Sequence, residues 1–417
     1  MAYIVVKNSP PLRGAVKING AKNAVLPIIA ATLLVDGVST IKNVPNLRDV
    51  NVMSELLRHL GASVQYDGET LIVDASELKE TEAPYHLVNK MRASFLVMGS
   101  LLGRCKKAKI SMPGGCAIGT RPIDLHIKGF KQLGVEVTSD HGYVEATTDN
   151  LIGEKIYLDF PSVGATENIM MAAVMAEGTT IIENVAEEPE IVDLANFLNK
   201  MGARVIGAGT NTIRITGVKK LHPAEHTVIP DRIEAGTYMV ASAITGGDVL
   251  VENIIIDHIK PVIAKLREVG CIVEEYDEKV RVIGPKVLQA TNIKTLPHPG
   301  FPTDLQSPFM AMLCIADGKS TITETVFENR FMNVPELIRM GANIEISGKS
   351  AIVEGRAKLT GSEVMATDLR AGAALVIAGL VSEGETHVKN IYHIERGYVD
   401  LVSKLSMLGA NVYKVEE

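Results

Sequence analysis

The chain has no tryptophan, and aromatic residues make up only 4% of its 417 positions. A chain of this length can form two domains, and their cores must consist of Ile, Val, Leu, Ala and Met. Positive charge is not in excess, because the net charge is −7. This disfavours nucleic acid or an anionic membrane as a partner, whereas a small anionic substrate stays compatible with a locally cationic cleft.

Cysteine is also scarce. The four cysteines form no CxxC pair, which is typical of a reducing cytosol. The longest apolar runs fall far short of the ~20 residues that cross a bilayer, and the first residues lack the features of a signal peptide. We therefore expect a soluble cytoplasmic protein that is a monomer in solution.

Several motifs of enzyme chemistry are absent. The sequence contains no Walker A loop, no GxGxxG after a strand, no HExxH and no GxSxG. His222 and His226 have the i, i+4 spacing of metal ligands, but Pro223 follows His222 and disfavours a helix there. We expect neither a metal nor a cofactor.

Six glycines recur at nearly even intervals along the chain. They are separated by 73, 68, 68, 71 and 68 residues, at Gly61, Gly134, Gly202, Gly270, Gly341 and Gly409. Each ends an apolar helical run and precedes a strand, so one structural unit is repeated six times. In five copies a strand before this helix ends in a short polar turn: Lys42-Asn43, Glu183-Asn184, Glu252-Asn253, Glu324-Thr325 and Lys389-Asn390.

Each copy is predicted to contain a helix, a strand, a second helix and two more strands. The first helices are apolar nearly all round and rich in small residues, which predicts that they are buried; the second are amphipathic. Three copies could close around one axis with these helices inside, giving two inside-out α/β barrels that change over near Pro230. An open α/β sheet is also compatible with the alternation alone.

The turns before the first helices carry polar residues that differ between copies. They are Lys22-Asn23, Arg92, 162–166, Asp231-Arg232, Thr303-Asp304 and 368–370. Helix N-termini favour anions, and with Arg396 these cations are typical of a phosphate or carboxylate site. The alternative is that these residues are ordinary helix caps and solvated charges.

The second copy departs from the others. Its polar turn is replaced by a glycine-rich insertion with Cys116 at its tip, and Ser111 to Gly134 spans 23 residues where Glu183 to Gly202 spans 19. Glycines permit the backbone excursions of a lid, and nearby Arg121 could lower the pKa of a thiol. We interpret Cys116 as a nucleophile or proton donor, against the alternative of an incidental surface thiol.

Six segments together resemble the UDP-N-acetylglucosamine enolpyruvyl transferases, over the whole chain and in family order. These segments are NGAKNA (19–24), GGCAIGTRP (114–122), SVGATE (162–167), GFPTDLQ (300–306), ENRF (328–331) and TDLRAG (367–372). The resemblance implies two inside-out α/β barrels with the active site in the cleft between them. One would be residues 21–229, and the other residues 1–20 with 230–417.

The resemblance also implies the reaction and its residues. The enolpyruvyl group of phosphoenolpyruvate would pass to the 3′-hydroxyl of UDP-N-acetylglucosamine through a tetrahedral ketal, with release of phosphate, at the start of peptidoglycan synthesis. Cys116 matches the lid cysteine, a general acid that can also add phosphoenolpyruvate covalently and that fosfomycin alkylates. Asp304 matches the base. Phosphoenolpyruvate contacts would be Lys22, Asn23, Arg121 and Arg396, with Asp368 and Arg370 beside them. Besides Cys116 and Asp304, the catalytic residues would be Lys22, Arg396, Asp368 and Arg370.

The nucleotide-sugar site implied by the resemblance is larger. It comprises Asn23, Arg92, Arg121, Pro122, Ile123, Asp124, Leu125, Ser162, Val163, Gly164, Asp304 and Val326. Some family members have lysine where this chain has Phe160, so the backbone N–H groups of 162–164 are expected to bind the diphosphate instead.

Three alternatives differ in function. The related transferase that uses shikimate 3-phosphate shares the fold but lacks the glycine–cysteine loop, so the Cys116 insertion argues against it. A non-catalytic paralogue that binds nucleotide sugar is disfavoured because the candidate catalytic residues are all present. An RNA-modifying enzyme on a similar repeat fold is disfavoured by the acidic net charge.

Overall fold

A computed structural model describes residues 2–113, 123–356 and 358–416. These residues form two compact units. Residues 20–113 with 123–229 form the N-terminal unit, and residues 2–19 with 230–356 and 358–416 form the C-terminal unit. None of the helices in these ranges is long and apolar enough to cross a membrane.

The N-terminal unit alternates helices and strands in the predicted order. Its α-helices are Lys22–Ala31, Arg48–His59, Tyr85–Val88, Val97–Cys105, Asp124–Gln132, Val163–Ala173 and Pro189–Lys200, with 3-10 helices at Thr32–Leu34 and Arg92–Leu96. Its strands are Val38–Lys42, Ser63–Asp67, Thr70–Asp74, Glu82–Ala83, Lys107–Ser111, Glu136–Asp140, Tyr143–Thr147, Lys155–Tyr157, Thr179–Glu183, Arg204–Ile206, Thr212–Thr216 and Glu225–Thr227.

The C-terminal unit repeats this order. Its α-helices are Arg232–Ile244, Lys260–Glu268, Gln306–Leu313, Val334–Arg339, Leu369–Gly379 and Leu401–Met407, with 3-10 helices at Ile256–His258, Thr303–Leu305 and Ile391–Arg396. Its strands are Tyr3–Lys7, Arg13–Lys17, Asp248–Glu252, Ile272–Tyr276, Lys279–Ile283, Ile293–Lys294, Lys319–Thr323, Asn343–Ser347, Ser350–Glu354, Leu359–Thr360, Glu363–Met365, Ser382–Glu383, Glu385–Lys389 and Val412–Val415.

Each unit contains three four-stranded sheets of one design. A short edge strand runs parallel to a central strand, and antiparallel strands follow, as in the order 155–157, 179–183, 212–216 and 204–206. Strands 3–7 and 412–415 complete the sheet of the last repeat. A further two-stranded sheet pairs 359–360 with 382–383.

Three helices in each unit are buried almost throughout. We call them the inner helices: 22–31, 97–105 and 163–173 in the N-terminal unit, and 232–244, 306–313 and 369–379 in the C-terminal unit. They contact one another within their unit, and their apolar residues fill its core. The amphipathic outer helices bury one face only, as for 48–59. The prediction of an α/β fold with buried inner helices is confirmed.

The six recurring glycines have one conformational role. Each lies two residues beyond the end of an outer helix and has a positive φ, between 84° and 111°. A residue with a Cβ is strained in this left-handed region, so glycine is the natural residue at this helix end. The repeat recognised in the sequence is therefore a repeat of helix termination.

The edge strands are exchanged at the two crossovers of the chain. Strand 13–17 precedes inner helix 22–31 in sequence but pairs with 248–252 in the C-terminal unit. Strand 225–227 precedes inner helix 232–244 but pairs with 38–42 in the N-terminal unit. Each unit thus receives one edge strand from the segment that leads into the other unit.

Candidate active site

Three of the predicted site residues, Cys116, Arg121 and Pro122, lie outside the described residues. The remaining candidates fall in both units, and each unit is described by itself. Within the described ranges, no group of three or more His, Cys, Asp or Glu residues is arranged to hold a metal ion.

Asp304 in the C-terminal unit is held by two buried arginines. It lies in the 3-10 turn Thr303–Leu305 that leads into inner helix 306–313. Its Oδ1 accepts a hydrogen bond from Nη2 of Arg330 at 2.8 Å. Its Oδ2 lies 3.1 Å from Nη2 and 3.2 Å from Nε of Arg370. Both arginines are at most 3% exposed, so this carboxylate partly compensates two cations that would be costly to bury alone.

Arg370 is also placed by its aromatic neighbour. Its guanidinium lies 5.1 Å from the ring centroid of Tyr398, whose hydroxyl is 2.9 Å from that of Thr237. Burial raises the pKa of the Tyr398 phenol, so this side chain stays neutral at physiological pH. The arrangement fixes a cation at the start of inner helix 369–379, where an anionic ligand is favoured.

Three of the polar turn residues are helix caps. Asp368 accepts hydrogen bonds from the backbone N–H groups of Arg370 and Ala371, at 2.8 and 3.0 Å. Asp231 caps inner helix 232–244 in the same way, and Ser162 caps 163–173. For these three residues the capping alternative describes their structural role. Asp304 differs from them, since its carboxylate contacts two arginine side chains.

In the N-terminal unit, Lys22 is the first residue of inner helix 22–31. Its ammonium lies 2.8 Å from a carboxylate oxygen of Asp49, on outer helix 48–59, and both residues are buried. Asn23, beside it, is exposed. The ion pair holds the Lys22 side chain in one place, because a lysine without a partner would be costly to bury.

His126 connects two segments of the predicted nucleotide-sugar site, 124–125 and 162–164, through the helices that carry them. It follows Asp124 and Leu125 on outer helix 124–132, and its Nδ1 lies 3.0 Å from the side-chain amide of Asn168. The Asn168 oxygen accepts a hydrogen bond from Gly99, on inner helix 97–105. A Cβ at Gly164 would lie 3.4 Å from the His126 ring, at van der Waals distance, so a side chain larger than a methyl group would meet the ring there.

The His126 ring is neutral. Burial, with a smaller contribution from the charge of Arg92, lowers the pKa of His126 to about 3. Because the amide NH₂ of Asn168 also donates to the Phe95 carbonyl, the oxygen of this amide faces Gly99 and its nitrogen faces Nδ1. Nδ1 is therefore the acceptor, and the ring proton lies on Nε2.

The other predicted positions have simpler surroundings. Val326 donates its backbone N–H to the carboxylate of Glu324. Arg396 is the last residue of the 3-10 helix Ile391–Arg396, near His393, whose pKa is lowered by burial and then by the Arg396 charge. Phe160 is 45% exposed, and its carbonyl accepts a hydrogen bond from the Ser162 backbone.

Sequence reasoning missed four residues: Asp49, His126, Glu324 and Arg330. Arg330 lies within one of the quoted motifs and could have been found there. Asp49 and His126 lie on outer helices with no sequence signal beyond a charged or polar residue on the apolar face. The prediction that Pro223 prevents a helical histidine pair is confirmed, since His226 lies in strand 225–227 and binds Asp193 at 2.8 Å.

Comparison with known proteins identifies relatives over nearly the full length. The family model of EPSP synthase (3-phosphoshikimate 1-carboxyvinyltransferase) matches residues 6–405. The chain is 63% identical to UDP-N-acetylglucosamine 1-carboxyvinyltransferase 1 of Caldanaerobacter subterraneus subsp. tengcongensis, covering 98% of this chain and 99% of the relative. It is 59% identical to the protein of the same name from Halalkalibacterium halodurans, covering 100% and 95%.

Two solved structures of enolpyruvyl transferases are similar to this chain over nearly its full length. The enolpyruvyl transferase NikO of Streptomyces tendae has a TM-score of 0.90 at 27% identity, covering 99% of each chain. An EPSP synthase of Acinetobacter baumannii has a TM-score of 0.76 at 19% identity over 100% of both chains, and this likeness concerns the fold alone.

Proposed function

Because the chain belongs to the EPSP synthase family of enolpyruvyl transferases, we propose that it transfers the enolpyruvyl group of phosphoenolpyruvate to the 3′-hydroxyl of UDP-N-acetylglucosamine. Phosphate is the second product. The reaction is the first committed step of peptidoglycan synthesis, and through it the protein serves cell-wall biogenesis, cell shape and division. We place it in the cytoplasm as a monomer without a cofactor.

One geometric observation supports the proposal most: the carboxylate of Asp304 is held by the buried guanidiniums of Arg330 and Arg370. The acceptor substrate is an alcohol and the donor is strongly anionic. A fixed carboxylate can take the proton of the alcohol, while adjacent cations stabilise the negative charge of the donor.

The chemistry has two stages. In the addition, the 3′-oxygen bonds to C2 of phosphoenolpyruvate, Asp304 accepts the hydroxyl proton, and Cys116 delivers a proton to C3, giving the tetrahedral ketal. In the elimination, C3 loses a proton, the double bond to C2 re-forms, and the C–O bond to phosphate breaks. Cys116 can also add across the double bond of phosphoenolpyruvate: its sulfur bonds to C2, the C2–C3 π bond breaks, and C3 takes a proton, which gives a covalent adduct.

The binding residues fall into two proposed sets. Phosphoenolpyruvate is bound by Lys22, Asn23, Arg121 and Arg396, since a multiply charged anion needs several charge-assisted contacts. Arg370 lies beside them as a further cation, and Asp368 caps the helix that carries it. The nucleotide sugar is bound by Asn23, Arg92, the segment 121–125, the turn 162–164, Asp304 and Val326. The contact of the neutral His126 ring with Asn168 supports this second set, because it helps to hold inner helix 163–173, whose first residues belong to the turn.

The proposed domain division is 21–229 and 1–20 with 230–417. The assignment of function is tested by measuring phosphate release from phosphoenolpyruvate with either UDP-N-acetylglucosamine or shikimate 3-phosphate as acceptor. We expect release with the nucleotide sugar only. Release of phosphate with shikimate 3-phosphate only would overturn the assignment of UDP-N-acetylglucosamine as the acceptor. Release with neither acceptor would favour a non-catalytic nucleotide-sugar-binding protein.

A further inference from the structure

The fifth repeat differs from four of the others at the end of its central strand. In four repeats the residue after this strand is an asparagine with positive φ, at Asn43, Asn184, Asn253 and Asn390. In three of them the amide donates to the carbonyl of the residue that follows the edge strand, at Val228, Leu158 and Ile18. This side chain fastens the two parallel strands together.

The equivalent residue of the fifth repeat is Glu324. The backbone register shows this, because Thr295 donates to the Thr323 carbonyl just as Leu158 donates to that of Glu183. Glu324, and not Thr325, therefore occupies the position of the asparagines. Thr325 nonetheless makes the lost contact, since its hydroxyl donates to the Thr295 carbonyl at 2.5 Å.

Because Thr325 makes this contact, the Glu324 side chain is not needed to connect the two parallel strands. Its carboxylate, 2% exposed, accepts four hydrogen bonds. Oε1 accepts from the Thr295 hydroxyl and from the backbone N–H groups of Val326 and Phe327, at 2.8, 2.8 and 3.2 Å. Oε2 accepts from the Thr303 hydroxyl at 2.9 Å.

A second residue of this repeat departs in a matching way. The position of Thr295 is apolar in the other aligned repeats, at Ile18, Leu158, Val228 and Ala366. A hydroxyl there serves the Glu324 carboxylate and accepts from the Thr325 N–H at 3.0 Å. Glu324 and Thr295 thus both differ from the aligned residues of the other repeats, and they contact each other. This indicates that the pair has a role particular to the fifth repeat.

The contacts of Glu324 lead to both members of the Asp304–Arg330 pair. Thr303 precedes Asp304 in the turn before the inner helix. On the other side, the Phe327 ring lies 5.5 Å from the guanidinium of Arg330, which donates to Asp304 at 2.8 Å. One buried carboxylate therefore binds the Thr303 hydroxyl on one side of this pair and the backbone of 326–327 on the other.

We propose that Glu324 is a positioning residue that holds the 325–330 loop against the Thr303–Leu305 turn, so that Asp304, Arg330 and Val326 keep the geometry needed for the acceptor substrate. The inference rests on the proposed function, in which Asp304 and Val326 contact the nucleotide sugar. Glu324 acts through these residues, because its own oxygens are buried and engaged.

The test compares Glu324→Asn with Glu324→Gln and a matched control. Asparagine restores the residue of the other repeats but is too short to reach Val326, Phe327 and Thr303 together. Glutamine retains the length, and its amide can still meet the Thr303 hydroxyl, which can accept as well as donate. Asn253→Asp removes the corresponding strand contact in the preceding repeat, at a residue that is not among the proposed site residues.

We expect Glu324→Asn to lower kcat/KM for UDP-N-acetylglucosamine by ~10- to 100-fold, with KM raised, as for a displaced reacting group. Glu324→Gln should recover most of this loss, and Asn253→Asp should lower the melting temperature without changing KM. If Glu324→Asn does not fold, Thr303→Val, which removes a single contact, should still raise KM several-fold.

Unchanged kinetics in Glu324→Asn and Thr303→Val would overturn the proposal. The proposal would also be overturned if Glu324→Gln lost as much kcat/KM as Glu324→Asn. A KM that rises in Asn253→Asp together with a lower melting temperature would overturn it too, because general destabilisation would then explain the effect. An inactive wild-type protein would instead refute the proposed function, and the two failures are thus distinguishable.

Discussion

The ammonium group of Lys22 lies 2.8 Å from the carboxylate of Asp49, and neither residue is more than 8% exposed. Lys22 is the proposed phosphoenolpyruvate ligand, and Asp49 comes from a different helix of the same unit. The proposed ligand is therefore oriented by a buried anion that none of the six motifs contains.

Asp49→Asn should destabilise the protein and weaken its binding of phosphoenolpyruvate. Removing the charge of one buried partner costs roughly 3 kcal/mol, because the remaining charge loses its compensation. We expect a lower melting temperature and a KM for phosphoenolpyruvate raised ~10-fold. Lys42→Gln breaks the exposed pair with Glu225 and serves as the control, with little effect on either quantity. An unchanged KM in Asp49→Asn would separate Asp49 from the function of Lys22.

Asp304→Asn should lower kcat by ~100-fold or more if the carboxylate is the base, because an amide keeps the shape but accepts no proton. The measurement is single-turnover phosphate release, with nucleotide-sugar affinity determined separately by calorimetry. Asp248→Asn breaks a surface ion pair with Arg281 and should leave kcat unchanged. Normal turnover in Asp304→Asn would remove Asp304 from proton transfer.

Fosfomycin should alkylate Cys116 alone. Cys271 and Cys314 are buried, and burial raises the pKa of each thiol to about 12, so both stay protonated and unreactive at neutral pH. Burial also raises the pKa of the half-buried Cys105. Intact-mass spectrometry should show one adduct on the wild type and none on Cys116→Ala, whose kcat should fall ~100-fold or more. An adduct on Cys116→Ala would show that another thiol reacts.

His126 should make the protein less stable at acidic pH. Its pKa is about 3 in the folded state and near 6.5 when exposed, so between these values the unfolded state binds a proton that the folded state does not. Stability therefore falls as the pH drops below about 6.5, by at most about 1.4 kcal/mol per pH unit from this residue. His126→Gln keeps an acceptor for Asn168 but does not titrate.

Melting temperatures measured from pH 7.5 to 4.5 should decline less steeply for His126→Gln than for the wild type. The difference between the two curves isolates His126, since buried acids such as Glu167 titrate in both proteins. Parallel curves would mean that folding does not lower the pKa of His126.

The repeat was the part of the fold most accessible from sequence. Gly409 and its five counterparts end outer helices because a left-handed residue is needed there, and that local requirement is visible without any tertiary contact. The burial of the apolar inner helices was also predictable from a short stretch of sequence, since a helix without a polar face has to be buried. The exchange of edge strands was not predicted, because strands 13–17 and 225–227 carry no mark of their partners.

By itself, the sequence determined the six-fold repeat, the buried inner helices, the family and the positions at which the copies diverge, because these follow from local conformation and from recurring motifs. Only the tertiary structure decided which charges neutralise one another. Asp49 meets Lys22, and Arg330 and Arg370 meet Asp304, through contacts between residues that are distant along the chain. The energy of a buried ion pair depends on distance and solvent exclusion, and neither quantity is encoded in any short stretch of residues.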